Sequence, residues 1–209
     1  MQIYTSINYQ VASILTFFQI WYIYQMNPTF SNRIAQSNAS TNCRTDIRDF
    51  VIENPEYMKD LLVIATDLSN KNHYKAVWII EMLVETHTEM LLPFIDTICK
   101  TISKYKHESA IRGMSRTAFF LSTSKTISLT ETQQEKVIEI CLDWLIGDAK
   151  IAPKAYAIYT LEHYAKKHDW IKEELQNIIN KDFAHQSAGY KAAAREVLRK
   201  ISKWFMNLK

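Results

Sequence analysis

The chain has 209 residues, enough for one domain or one short repeat array, and its 47% hydrophobic against 22% charged composition can supply a real core. Three glycines and four prolines give too few turns for a β-rich fold, and a formal charge of +3 does not call for a polyanionic partner. Cys43, Cys99 and Cys141 are odd in number and form no CxxC pair, which argues against a disulfide framework and for reduced, buried thiols in a cytoplasmic protein.

Residues 1–32 carry no charged side chain, and residues 7–24, INYQVASILTFFQIWYIY, are long and apolar enough to raise the question of a membrane span. A signal peptide or anchor would lack its positive n-region and an A-x-A cleavage site. A packed helix would lack a single polar face, because Asn8, Gln10, Ser13, Thr16 and Gln19 interrupt it. A genuine span would carry the same polar groups at some cost. A fourth account starts translation at Met26 and treats the preceding stretch as translated AT-rich leader. Residues 1–25 therefore stand apart as an apolar, uncharged segment, and membrane anchoring or export follows only if that segment is a real anchor. Residues 26–45 are rich in Asn, Ser and Thr and read as a polar linker or disordered arm.

From 46 to 209 the pattern is helical. In NPEYMKDLLVIATDL, Asn54 is the expected N-cap with Pro55 at the first helical position, and Met58, Leu61, Leu62, Ala65 and Leu68 form one stripe. A helix is expected over about 73–86. HTEMLLPFIDTICKTI follows, restarted or kinked at Pro93. HESAIRGMSRTAFFLS comes next. LTETQQEKVIEICLDWLI opens with Thr130 and Gln133 as a capping box. After IAPKAYAIYTLEHYAKK, DWIKEELQNIINKDF has Asp169 as expected N-cap. SAGYKAAAREVLRKISKWF ends the chain.

These segments make about four helix pairs. The second helix of each carries a marker alanine: Ala76, Ala110, Ala155 and Ala192, at intervals of 34, 45 and 37 residues by subtraction. Lys75, Lys154 and Lys191 precede three of them, with Ser109 in the fourth; Met82, Leu161 and Leu198 stand six residues later in three copies, with Arg116 in the other. The alanine is expected to let helices approach closely, the large residue to fill the groove, and the lysine to keep its charge in solvent.

Periods of 35 to 45 residues built as helix–turn–helix units define an α-solenoid. The spacing, and the alanine with an aliphatic residue six later, resemble HEAT and armadillo-type repeats over residues 47–205. The fragments SAIR and AAAR echo the arginine such repeats carry. The resemblance implies an all-α, HEAT/ARM-like superhelix of about four hairpins whose continuous concave face binds proteins. The elements KAVWIIEML and KHESAIR are also similar to a small bacterial group that often carries the name adenylosuccinate lyase. True lyases of that name carry a loop S-S-x-M-P-x-K-x-N-P, which GMSRTAF does not match, so this resemblance implies no lyase activity.

No GxGxxG, Walker A, GxSxG or HExxH pattern occurs, so no cofactor, metal or catalytic residue is assigned. His73 and His107 each stand three residues before a marker alanine. Equivalent positions in a solenoid lie side by side, so the pair, with Glu108 and Arg112, forms a candidate polar surface site; helix capping is the plainer account. Glu131, Glu135, Glu139 and Asp143 make an acidic row at four-residue steps. Lys191, Arg195, Arg199 and Lys203 make the matching basic ridge, a candidate docking surface for an acidic peptide or phosphate backbone. Solvated faces at a terminal repeat account for both rows equally well.

The reading reached is a non-catalytic protein-binding or scaffold module. The alternative is a nucleic-acid-binding enzyme resembling the HEAT-like DNA alkylation-repair glycosylases, in which Trp144 beside Asp143 would imitate the aromatic and acidic residues of that group. That alternative requires the basic ridge and the aromatics to share one face.

Overall fold

The computed structural model describes residues 26–206 and, within the last helix, side chains to Ser202. The sequence-based accounts of residues 1–25 fall outside the described residues. Ten helices occur among those described: α1 (Pro28–Gln36), α2 (Thr41–Glu53), α3 (Tyr57–Thr66), α4 (His73–Thr86), α5 (Ile95–Thr101), α6 (Glu108–Thr123), α7 (Glu131–Ile146), α8 (Ile151–Ala165), α9 (Asp169–Asp182) and α10 (Ala188–Met206). Short 3₁₀ turns flank α5 (Thr88–Phe94 and Ile102–Lys104) and follow α9 (Phe183–His185). None of the described helices is long and apolar enough to cross a membrane.

The helices form two layers. Second helices pack in series, α2 on α4, α4 on α6, α6 on α8 and α8 on α10. First helices pack α1 on α3, α3 on α5 and α5 on α7. This is the expected all-α solenoid, with five hairpins rather than about four. The extra one arises where a polar linker was expected. Asn27 accepts the backbone N–H groups of Thr29 (2.9 Å) and Phe30 (3.1 Å), and Pro28 supplies the preset first position of α1. Phe30 and Ile34, one turn apart, bury one face of that helix, and Phe30, Phe50 and Tyr57 close into an aromatic cluster. Two apolar side chains at the right spacing thus outweigh a polar composition.

Other expectations hold in part. Thr130 and Gln133 make a reciprocal capping box at α7. Asn54 acts at the opposite end from the one expected: its amide donates to the Phe50 carbonyl at 2.8 Å and closes α2. Asp169 is the first residue of α9, and His168, at the cap position, makes no side-chain cap. Pro93 lies within the 3₁₀ turn, so a fresh α-helix begins at Ile95 instead of a kinked continuation.

The marker alanines divide. Ala76 and Ala110 are fully buried, Ala155 is only half-buried and Ala192 is exposed. Ala157, Ala193 and Ala194 take the buried positions in the last two second helices, because small residues one or two places along in each run face the neighbour. Nor do all the lysines simply hold their charge in solvent. Lys154 is buried, and the Lys75 ammonium donates to the Ala35 carbonyl at the end of α1. Lys191 donates to the Ala184 carbonyl just beyond α9, at 3.0 Å. These carbonyls lack intrahelical partners and sit at the negative end of a helix dipole. In two of the three copies, Lys75 and Lys191, the lysine tethers a preceding helix end.

Further bonds span one repeat. Tyr105 donates to the Ala65 carbonyl at 2.8 Å, and Tyr164 to Ser122 Oγ at 2.9 Å. The buried hydroxyls of Thr117 and Thr160 bond back to carbonyls four residues earlier, so neither is stranded in the core.

Candidate functional site

Two surfaces collect polar and aromatic groups. The first lies where α4 and α6 begin. The His73 and His107 rings are 5.9 Å apart and nearly perpendicular. Tyr74 stacks face to face on His107 at 4.0 Å, Trp78 meets Tyr74 edge-on at 5.1 Å, and Tyr105 lies 5.9 Å from His73. His73 Nδ1 is 2.8 Å from the Asn70 carbonyl, which can only accept, so that nitrogen carries a proton. His107 Nδ1 accepts the Ser109 N–H at 3.2 Å and caps α6. Burial, and then His73, hold the His107 pKa below the ordinary histidine value, against Glu108. The predicted pair thus meets, as equivalent repeat positions should; His107 also caps its helix as the plainer account held, whereas His73 does not.

Glu108 turns away from the histidines to pair with Lys150 at 3.3 Å, both exposed. These two line a cleft of about 410 Å³ with Tyr105, Ile111, Ile140 and Trp144. Arg112 belongs elsewhere. It reaches Glu81 at 3.2 Å, so the four predicted site residues do not form one site.

The second surface is a seam across the second-helix layer. The Glu81 carboxylate, nearly buried on α4, receives Arg112 and, at 3.4 Å, Arg116; Arg116 also binds Glu85 at 2.6 Å. The motif returns on α8, where nearly buried Glu162 pairs with Lys166 at 3.3 Å and with Lys200 of α10 at 4.0 Å. Lys200 also holds Glu196 at 2.9 Å, and Glu196 accepts the Tyr159 hydroxyl at 3.1 Å. The bonds from Lys200 and Tyr159 keep the Glu196 carboxyl below its usual range. Between these pairs stand half-exposed aromatics: Phe119 lies 6.0 Å from Tyr156 and 6.2 Å from Tyr159, while Arg116 covers Phe120 and Lys200 covers Tyr159.

Sequence reasoning passed over this seam. Glu81 was visible as the lone acid in the apolar run AVWIIEMLV, a pattern that requires a buried partner, but the partners lie 31 and 35 residues on. Gly113 was visible as a helix-interior glycine; a β-carbon there would come within 2.5 Å of Val77 Cγ1.

The basic ridge is partly occupied. Lys191 and Arg195 lie over the Phe183 ring at 5.9 and 5.2 Å, Arg199 is exposed, and the Lys203 side chain falls outside the described ones. Trp144 is buried on α7, in the first-helix layer, beside exposed Asp143; the ridge is on α10, in the other layer. Among the described residues no three His, Cys, Asp or Glu side chains gather as metal ligands.

No curated protein and no solved structure matches this chain. A family model described as a HEAT repeat domain matches residues 30–201, from within α1 to within α10, and so takes in all five hairpins. With most of its length matched across a stack of helical hairpins, the chain belongs to the HEAT repeat family.

Proposed function

We propose that the protein is a non-catalytic binding module that docks another protein on its second-helix face. The observation that carries this is the seam of Phe119, Tyr156 and Tyr159 between α6 and α8. Half-exposed aromatics with adjoining arginines are the composition of protein-interface anchors. The charges around them are already balanced. Glu81, Glu85, Glu162 and Glu196 face Arg112, Arg116, Lys166 and Lys200, four against four. A phosphate backbone would need unpaired cations, so a protein with an apolar or aromatic docking segment fits better. The glycosylase reading loses its support because its acidic and aromatic pair and the basic ridge stand in different layers. Lyase activity forms no part of the proposal. Free thiols, two of them buried, favour a reducing compartment such as the cytoplasm.

The test is affinity capture from native lysate with the full chain as bait, with and without nuclease. A Tyr156→Ala/Phe119→Ala bait and a Lys191→Glu/Arg195→Glu/Arg199→Glu bait run in parallel. A protein that survives nuclease and is lost only from the aromatic variant supports the reading. Recovery of nucleic acid, lost from the charge-reversed bait, contradicts it.

A further inference from the structure

We propose that copies of this chain associate head to tail, the basic row on α10 of one copy lying along the acidic row on α7 of the next. Glu131, Glu135, Glu139 and Asp143 are all exposed, and none takes part in an ion pair among the described residues. Lys191, Arg195 and Arg199 likewise have no carboxylate within ion-pair distance among the described residues. The acidic row is thus unpaired among the described residues, and the basic row has no carboxylate partner at ion-pair distance there, although Lys191 also donates to the Ala184 carbonyl and, after Lys200 and Tyr159, Arg199 helps hold the Glu196 carboxyl below its usual range.

The rows also match in period. Each advances four residues per charge, about 6 Å along its helix. Rows of i±4 side chains on two helices interdigitate in the commonest helix-packing class, crossing at about −50°. Phe183 beneath Lys191 and Arg195 props the cations on one side of α10. Arg195 and Arg199 are exposed on that helix. On the acidic side, Glu139 and Asp143 border a cleft of about 330 Å³ that Lys100, Lys104 and Lys136 also line, three cations against two acids, so the incoming cations meet the exposed row along α7 and not the cleft. None of the three lysines forms an ion pair with either acid.

A contact between two different patches is heterologous, so it builds open chains or closed rings instead of a two-fold dimer. Each exposed pair contributes little alone, and the charges are screened beyond about 10 Å at 0.1 M salt, so assembly is a low-salt property. The contact uses α7 and the basic row of α10, and borders the seam at Glu196 and Lys200 without including its aromatics Phe119, Tyr156 and Tyr159, so loss of assembly in the α7 variant and loss of docking in the aromatic variant are separate results.

Sedimentation velocity on the full chain, over a range of protein concentrations in low and high salt, tests this. The expected result is a species of two or more chains in low salt that falls to single chains in high salt. Arg195→Glu/Arg199→Glu and Glu135→Lys/Glu139→Lys should each run as single chains in low salt, with unchanged helical circular dichroism. An equal mixture of the two variants should assemble again, since each reversed face then meets its complement. A wild-type chain that stays single at every concentration, an assembly that survives either reversal, or a mixture that stays single overturns the proposal.

Discussion

Gly113 of α6 faces Val77 of α4 so closely that a β-carbon at position 113 would fall 2.5 Å from Val77 Cγ1 and 3.3 Å from the Glu81 carboxylate. A valine methyl on a stiff branched side chain cannot swing aside, so the helices would have to part. Gly113→Ala gains about 1 kcal/mol of helix propensity. Overpacking costs about 1–3 kcal/mol, so the variant should melt below wild type despite the better helix former. A raised melting temperature would show that α4 and α6 are not locked at this point.

Glu81 is the acid around which the same joint closes. Glu81→Ala strands Arg112 and Arg116, both partly solvated, at a cost of about 1–3 kcal/mol in chemical denaturation. Glu81→Gln keeps the shape and one acceptor and should lose less. Equal losses for the two would mean that volume, not charge, matters there.

The alanine positions give a paired test. Ala157 is fully buried and Ala155 only half-buried. Ala157→Leu should cost roughly 1–3 kcal/mol, and Ala155→Leu should stay within about 0.5 kcal/mol of wild type in thermal melts. The reverse order would restore the register expected from sequence.

Acid should loosen the start of α6. The His107 pKa is depressed, so the fold favours its neutral ring, and protonating Nδ1 would remove the acceptor that caps Ser109. The stabilisation is complete above the ordinary value of 6.5 and is lost as pH falls from there toward the depressed value. His163 is shifted the same way by burial and by Lys166 and Lys167, and titrates in the same window. His107→Asn, which keeps a capping oxygen without a titratable ring, should flatten part of the slope of stability between pH 7 and pH 5, in proportion to the shift. An unaltered slope would remove His107 from the acid response.

Thiol reactivity should follow burial. Cys99 is pushed up to about 11 and Cys141 to about 12, chiefly by burial. Cys43 is only half-buried. Iodoacetamide at mildly alkaline pH should modify Cys43 first in the folded chain, and mass spectrometry of the labelled peptides reads the order. Early labelling of Cys141 would contradict the packing of α7 on α8.

Much of this architecture was legible in the sequence where a local signal acts alone. Thr130 with Gln133 fixed the start of α7, and apolar spacing marked the second helices. Asn–Pro was passed over once and misread once. It opens α1 at Asn27, where polar composition hid a helix, and it follows the end of α2 at Asn54, where a start was expected. Proline both begins helices and cannot continue them, so the pair alone does not choose. The histidine pair was legible because repeat periodicity brings equivalent positions together. The seam was not, because Glu81, Arg116, Tyr159 and Lys200 are paired by tertiary packing across repeats, and no local pattern encodes which charge meets which.

The most direct test of the docking surface is hydrogen–deuterium exchange on the full chain, free and with the protein recovered by nuclease-resistant capture. Amide exchange should slow in α6 and α8, around Phe119, Tyr156 and Tyr159. Slowing confined to the first-helix layer, α5, α7 and α9, would contradict the assignment of the second-helix face as the docking surface.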